Sequence, residues 1–168
     1  MPDVLVSDAN IFIDFEEGGV LDELFALDET LVVPDALYRD ELAAQHNDLL
    51  ALGLQQRTLA GPAVLRVIEL QRKYAGPSRY DYMALALAEQ EGCALLTGDG
   101  DLRTAAKAEG VPVHGTLWLC EQLVQESILT TDDVAQAYSA MKAASRFLPW
   151  KLVRKQLEGW GCKIPPNI

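Results

Sequence analysis

Carboxylates follow two short apolar runs of the sequence, at the points where those runs end. Asp8 closes the first run, and Asp99 and Asp101 come just after the second, which ends at Leu96. Carboxylates held close together repel one another, and a bound cation is the usual means of neutralising them. Their oxygen atoms are the ligands that Mg²⁺ and Mn²⁺ prefer. The spacing therefore indicates metal-assisted chemistry, provided that the fold brings the two run ends together.

The elements that must position these acids alternate between strand and helix, which is the pattern of an α/β fold with a parallel sheet covered on both faces. The carboxyl ends of parallel strands lie at one edge of such a sheet, where open α/β folds place their sites. The predicted strands are 4–7, 30–33, 54–59, 93–97 and 111–113. The predicted helices are 11–15, 20–27, 34–42, 48–53, 64–70, 78–91, 102–109 and 116–125.

The pattern changes near Thr130, after which two helices are predicted with no strand between them, at 132–144 and 150–158. Thr131 is a candidate cap of the first of these helices, and Pro149 breaks the chain before the second. We expect a three-layer α/β/α domain over residues 1–127. Residues 128–168 are expected to form a helical hairpin packed on that domain.

Two further acids, Glu41 and Asp81, are placed by the predicted helices near the same edge of the sheet. Both have a structural alternative. Ser78 and Asp81 have the spacing of a capping box, in which the carboxylate only bonds back to the start of its helix. Glu41 could face solvent, and its neighbour Asp40 competes with it for the inward position.

The acids that follow the strands also have structural alternatives. Asp8 and Asp99 have the residue type and position of helix N-caps. Asp101 is an acid in a first helical turn, where the helix dipole favours negative charge. Each acid taken alone is explained by such a role, whereas the convergence of all of them on one edge points to a site.

Composition narrows the classes of function. The net charge of −11 over 168 residues argues against indiscriminate nucleic-acid binding, which needs a basic surface. From Lys142 onward, however, six basic residues stand against one acid, which fits either a phosphate-binding segment or a solvated helix face. Three widely spaced cysteines argue against a disulfide framework or a zinc site. The sequence shows no secretory leader and no run long enough to span a membrane, so a cytoplasmic protein is expected.

The ordered set of motifs resembles the PIN domain family, and closely the bacterial toxin nucleases of the VapC type. The motifs that carry the resemblance are Val6–Asn10, Val33–Leu42, Ser78–Ala88, Leu95–Arg103, Gly110–Val111 and Gly115–Trp118. The match spans about residues 4–125. The tail with Phe147, Leu148 and Pro149 looks like the helical extension of one branch of these proteins.

The resemblance implies a metal-dependent endoribonuclease with one or two Mg²⁺ or Mn²⁺ ions. Its catalytic acids map onto Asp8, Glu41, Asp81 and Asp99. The expected metal ligands are Asp8, Asp81, Asp99 and, as a variable fifth acid, Asp101. Asn10 and Thr97 match polar positions that support the metal site. The acids would hold the metal and orient a water molecule, and none would attack the phosphate covalently.

Three arginines are candidates for binding the phosphates of the RNA substrate: Arg103, Arg39 and Arg79. Arg103 has an equal alternative, an ion pair with Asp101. The resemblance further implies a homodimer and a cognate antitoxin that inserts a basic or aromatic segment into the site. An acidic surface would suit such a partner.

Two rival functions remain open at this point. The first is a PIN-like fold without catalysis, acting as an RNA- or protein-binding module. The second is a phospho-acceptor receiver domain, which also gathers acids at strand ends. A receiver needs a lysine at a strand end near its acids, and the nearest lysine here, Lys107, lies two turns into a predicted helix.

Overall fold

The computed structural model describes residues 3–168, which form an α/β fold around a parallel sheet. Helices flank the sheet, so the predicted three-layer architecture is confirmed. The strands are β1 Val4–Ser7, β2 Thr30–Pro34, β3 Gln55–Arg57, β4 Ala94–Leu96 and β5 Val113–His114. The helices are α1 Ala9–Glu17, α2 Leu21–Leu24, α3 Asp35–Leu37, α4 Leu49–Leu52, α5 Gly61–Lys73, α6 Arg79–Glu91, α7 Gly100–Ala108, α8 Thr116–Gln125, α9 Thr131–Ala143 and α10 Trp150–Trp160.

The strand order is β3-β2-β1-β4-β5, with every pairing parallel. The central strand β1 is buried because its residues are apolar on both faces of the sheet. Ser7 at its end pairs with Leu96 at the end of β4, so the acids that follow the two strands leave the sheet side by side. A receiver domain has the order 2-1-3-4-5 instead. The observed order therefore removes that rival.

Helix α6 lies across β1, β2 and β4 and packs against α5 and α7. Its run of small and apolar residues is almost entirely buried, which explains why this helix is apolar on more than one side. Helix α1 packs with α2, α8 and α9 in the other helical layer. These two layers hold the sheet from both faces and leave the carboxyl ends of β1 and β4 at an open rim.

The segment after β2 differs from the regular helix predicted to run through Leu42. Helix α3 ends at Leu37, and residues Tyr38–Leu42 form a π-helical segment. The amide of Ala43 donates to the carbonyl of Tyr38 at 2.8 Å, which closes the wider turn. One residue added to a helical turn rotates the side chains that follow it, and such bulges are frequent at functional sites. Glu41 lies within this segment.

The C-terminal helices α9 and α10 contact each other, and α9 also packs on α1 and α8. The cap of α9 is Thr130 and not Thr131 as predicted, because Thr130 forms a reciprocal capping box with Asp133. The division into residues 1–127 and 128–168 stays a prediction, and residues 1 and 2 of the first part lie outside the described residues. In the described chain, no helix is both long enough and apolar enough to cross a membrane.

Candidate functional site

The site is built around Asp8, which leaves the sheet at the end of β1 and caps helix α1. Its Oδ1 accepts a hydrogen bond from the amide of Ile11 at 3.1 Å. Its Oδ2 accepts the hydroxyl hydrogen of Thr97, which follows β4. Only 2% of Asp8 is exposed. The N-cap that the sequence indicated is therefore present, but its carboxylate is also joined to the neighbouring strand end.

Burial raises the pKa of Asp8 to about 7, with smaller upward contributions from the charges of Asp81 and Asp14. The hydrogen bonds from Thr97 and Ile11 oppose this rise, because they stabilise the ionised carboxylate. A carboxylate held in this way gains most from a cation that replaces its proton. The electrostatics of Asp8 therefore favour a positively charged ligand at this rim.

Asp99 caps helix α7 on the other side of Thr97. Its Oδ1 accepts from the amide of Leu102 at 2.8 Å, and its own amide donates to the Thr97 hydroxyl at 3.1 Å. Thr97 is fully buried and so bridges two acids on adjacent strand ends with one hydroxyl. The structure thus brings Asp8 and Asp99 together, as the sequence predicted.

Asp81 reaches the same rim from the first turn of helix α6. It forms the predicted capping box with Ser78, whose amide donates to Asp81 Oδ2 at 2.8 Å. Burial raises the pKa of Asp81, as does the charge of Asp99, while the bonds from Ser78 lower it. Asp81 is thus a helix cap and a member of the acidic group at once, so the two interpretations of the sequence are compatible.

The structure separates the roles of Asp40 and Glu41. Asp40 accepts the Tyr80 hydroxyl at 2.6 Å and the Arg39 Nε at 3.2 Å, and these bonds lower its pKa. The pKa of Glu41 is raised, first by burial and then by the charges of Asp81 and Asp40. The charge of Glu41 therefore interacts with that of Asp81 in the acidic group, whereas the carboxylate of Asp40 is hydrogen-bonded to Tyr80 and Arg39.

Asp101 does not share the role of Asp99 as the N-cap of α7. It is exposed in the first turn of α7, and its carboxylate lies against Gly76, in the turn before α6. Gly76 has φ +109°, so a side chain there would meet both backbone strain and the Asp101 carboxylate. The charge of Asp101 also contributes to the raised pKa of Tyr82. Its assignment as a metal ligand stays a prediction.

The three arginines take different positions. Arg103 does not pair with Asp101, as one alternative had it, because its Nη1 donates to the carbonyl of Thr97 at 2.8 Å. Arg39 pairs with Asp40, and the Arg79 guanidinium lies 5.3 Å from the centre of the Tyr80 ring. Arg103 is therefore held by the loop that carries Asp99, whereas Arg39 lies within the π-helical segment and Arg79 at the start of α6.

A second polar group near the rim was not among the predicted site residues. Asp14, buried on α1, accepts Arg146 Nε at 2.7 Å and the Thr116 hydroxyl at 2.9 Å. Arg146 Nη2 also donates to Asn10 Oδ1 at 3.2 Å. Burial raises the pKa of Asp14, and these two partners lower it. The network joins the loop after α9 to α1 and sets the position of Asn10, the predicted supporting residue.

The donor set of the rim fits a hard divalent cation in its chemistry. All of its members offer carboxylate oxygens, and three of them carry pKa values raised in part by one another's charge. As the side chains stand, no three His, Cys, Asp or Glu residues among 3–168 are arranged to hold a metal ion. An ion would therefore need side-chain rotation to gather its ligands.

Comparison with known proteins gives one family. The model of a family described as a PIN domain matches residues 4–161 of the chain. The matched range includes all the acids of the rim and also helices α9 and α10. No curated protein matches the chain.

Proposed function

The chain belongs to the PIN domain family, and from this premise we propose that it is a Mg²⁺- or Mn²⁺-dependent endoribonuclease that acts as the toxin of a toxin–antitoxin pair. PIN domains are generally nucleases, and nucleases are hydrolases. The observation that carries the proposal is the bridge formed by Thr97, which gathers Asp8 and Asp99 at one rim. The raised pKa of Asp8 supports the proposal as well, because burial destabilises its ionised carboxylate and a bound cation would stabilise it.

Each acid has a separate task in this proposal. Asp8, Asp81 and Asp99 hold the one or two ions, and Asp101 is the proposed variable fifth acid. A bound divalent ion would lower the pKa of a coordinated water and neutralise charge on the scissile phosphate. Glu41 orients the attacking water and accepts its proton, which its raised pKa favours.

Two kinds of polar residue support these acids. Thr97 holds Asp8 in one rotamer through its hydroxyl, and Asn10 is held by Arg146 at the rim. Arg103, Arg39 and Arg79 are the proposed contacts to the RNA backbone, since they are the cations nearest the acidic group along the chain. Their guanidinium groups would offset the repulsion between phosphates and the carboxylates.

The nuclease proposal is tested by RNA cleavage with Mg²⁺ or Mn²⁺, in the presence and absence of EDTA. The parent protein is expected to cleave, and EDTA or Asp8→Asn is expected to abolish cleavage. Leu50→Ala is a matched control, because this apolar side chain on α4 is 41% exposed and does not line the recess that contains Asp99. Cleavage that survives EDTA or Asp8→Asn would refute the metal-dependent mechanism. No cleavage by the parent would favour a non-catalytic binding module.

The toxin role has a separate test in growing cells. Expression of the parent protein is expected to arrest growth, and Asp8→Asn is expected to relieve the arrest. The proposed antitoxin is a protein whose basic or aromatic segment enters the acidic rim, for which the net charge of −11 provides the complement. Unimpaired growth with abundant active nuclease would count against the toxin role alone.

We also propose that the protein is a homodimer. Helix α5 exposes Val64, Leu65 and Ile68, whose side chains lie on one side of the helix at i, i+1 and i+4. Exposed apolar groups of this kind are typical of association surfaces. Sedimentation of the parent is expected to give a dimer that Leu65→Glu converts to a monomer. A monomeric parent would disprove this part of the proposal.

A further inference from the structure

The loop between α9 and α10 presents an aromatic side chain to solvent. Phe147 is 98% exposed. The residue before it is fixed, because Arg146 is bonded to Asp14 on α1, and the residue after it, Leu148, packs on the core. Ser145 at φ +61° begins the loop in the left-handed region. Both neighbours of Phe147 are therefore anchored, and the ring is held outward by the backbone.

Phe147 borders two recesses that meet at Gly98. The first, of about 350 Å³, contains Asp99 and Asn10 of the acidic rim. The second, of about 570 Å³, is mainly apolar and is lined in part by Trp118 and Leu152. Its volume is in the range of small-molecule sites, which is about 300–1,000 Å³. A ligand that enters the second recess would lie next to the proposed scissile position.

The two recesses differ in charge, although the protein as a whole is acidic. Asp14, Asp99 and Arg146 line the first recess, and Arg146 is paired with Asp14. Arg103 lines the second recess, which has no acid among its described lining residues. The His114 ring stacks on Trp118 with 4.0 Å between ring centres, which adds a flat aromatic wall to the second recess. Aromatic faces combined with cations are the means by which proteins bind single-stranded nucleic acids.

We propose that Phe147 and the apolar recess beside it form a base-stacking platform for single-stranded RNA, which places the neighbouring phosphate at the Asp99 rim. The proposal rests on the proposed ribonuclease function and names a substrate contact of the same site. RNA is favoured over a protein partner by charge. At the apolar recess, which no described acid lines, Arg103 attracts a phosphate and would repel a basic protein segment, whereas such a segment is suited to the acidic rim.

The proposal is tested by RNA binding to the Asp8→Asn protein in EDTA, so that affinity is measured without cleavage. The probe is a labelled single strand of mixed sequence and about 12 nucleotides, which exceeds the footprint of a small platform. Phe147→Ala is expected to weaken binding by roughly 5- to 100-fold, as for loss of one stacked base. Phe147→Trp should restore affinity, and Leu50→Ala should leave it unchanged.

Two further measurements separate stacking from other effects. The slope of log Kd against log salt concentration is expected to stay constant in Phe147→Ala, because the ring carries no charge. An RNA with abasic positions should bind weakly and should no longer distinguish Phe147→Ala from its parent. The melting temperature should not change, since the ring is solvent-exposed.

The proposal is overturned if Phe147→Ala binds RNA as its parent does, if Phe147→Leu binds as tightly as Phe147→Trp, or if the parent binds no RNA. An unchanged affinity would leave Phe147 as a contact for a protein partner instead. Failure of the ribonuclease function is read separately, from the absence of cleavage products in the metal-containing assay with the wild-type chain.

Discussion

The hydroxyl of Thr97 donates a hydrogen bond to the carboxylate of Asp8, across 89 positions of sequence and between the ends of two adjacent strands. The same hydroxyl accepts from the amide of Asp99 at 3.1 Å. One buried side chain thus fixes both acids relative to the sheet. The position of the site depends on this contact as much as on the acids themselves.

Thr97→Val should raise the pKa of Asp8 above about 7, since the Thr97 hydrogen bond lowers it in the parent. The acidic limb of the pH–activity profile for RNA cleavage would move to higher pH. Loss of the buried hydrogen bonds should also cost about 1–3 kcal/mol of unfolding free energy. Thr97→Ser retains the hydroxyl and is the matched control. A profile that does not move in Thr97→Val would mean that Asp8 is not the group whose titration limits activity.

Asp8 should make the protein less stable as pH rises from about 4 to about 7, the window between its ordinary pKa of 3.8 and its folded value. In this window the folded state keeps a proton that the unfolded state has released, so stability falls with increasing pH. Asp8→Asn removes this dependence. In EDTA, its unfolding free energy relative to the parent should increase by roughly 2–4 kcal/mol between about pH 4 and pH 8. Urea unfolding over a pH series measures the difference, and a constant difference would contradict the assignment.

The strand β1 and the helix α6 could be predicted closely because each is determined by local signals. The continuous apolar run of β1 fits a central parallel strand, and α6 begins at a capping box and ends at Gly92 with φ +65°. The acids that end β1 and β4 follow from the same logic, since parallel strands leave the sheet at one edge. The positions of Asp8 and Asp99 at one edge of the sheet could therefore be predicted from the sequence.

Other features depend on contacts that are remote in sequence. The π-helical turn around Glu41 is one residue wider than the regular helix that periodicity predicts. Its contacts are tertiary, because it packs against α1 and Asp40 accepts the hydroxyl of Tyr80 from α6. Arg146 reaches Asp14 across 132 positions, and only one signal pointed to that contact, an acid within the apolar run of α1. Where an isolated carboxylate interrupts a buried face, a distant cation should be sought.

Mn²⁺ or Mg²⁺ should stabilise the native protein, because the ions would bind carboxylates that repel one another in its folded state. The gain is expected to be about 2.7 kcal/mol at a free concentration of 100 times Kd. It should be larger at about pH 8 than at about pH 5, since protons compete for the same oxygens. Thermal unfolding with and without the ion measures it, with Asp8→Asn for comparison. An equal shift in parent and variant would place the ion elsewhere.

Arg146→Ala should destabilise the fold by about 2–3 kcal/mol, because it leaves the buried Asp14 carboxylate without its cation while the Thr116 bond remains. The double variant with Asp14→Asn should recover much of this loss, since the uncompensated charge is then absent. Urea unfolding of the parent, both single variants and the double variant gives the coupling free energy directly. Additive losses would show that the ion pair contributes little and that Arg146 acts mainly through its loop.

Glu41→Gln should reduce RNA cleavage by at least about 100-fold, as expected for loss of a group that moves a proton, whereas Asp40→Asn should reduce it far less. The two acids are adjacent in the π-helical segment and differ in their surroundings. Asp40 is bonded to Tyr80 and Arg39, while the pKa of Glu41 is raised by burial and by the charges of Asp81 and Asp40. Neutralising Glu41 would also relieve repulsion, so Glu41→Gln should be no less stable than the parent. Cleavage rates under saturating Mn²⁺ and melting temperatures measure both effects. If Asp40→Asn proved the more damaging change, the register of the π-helical segment would place Asp40 in the catalytic position.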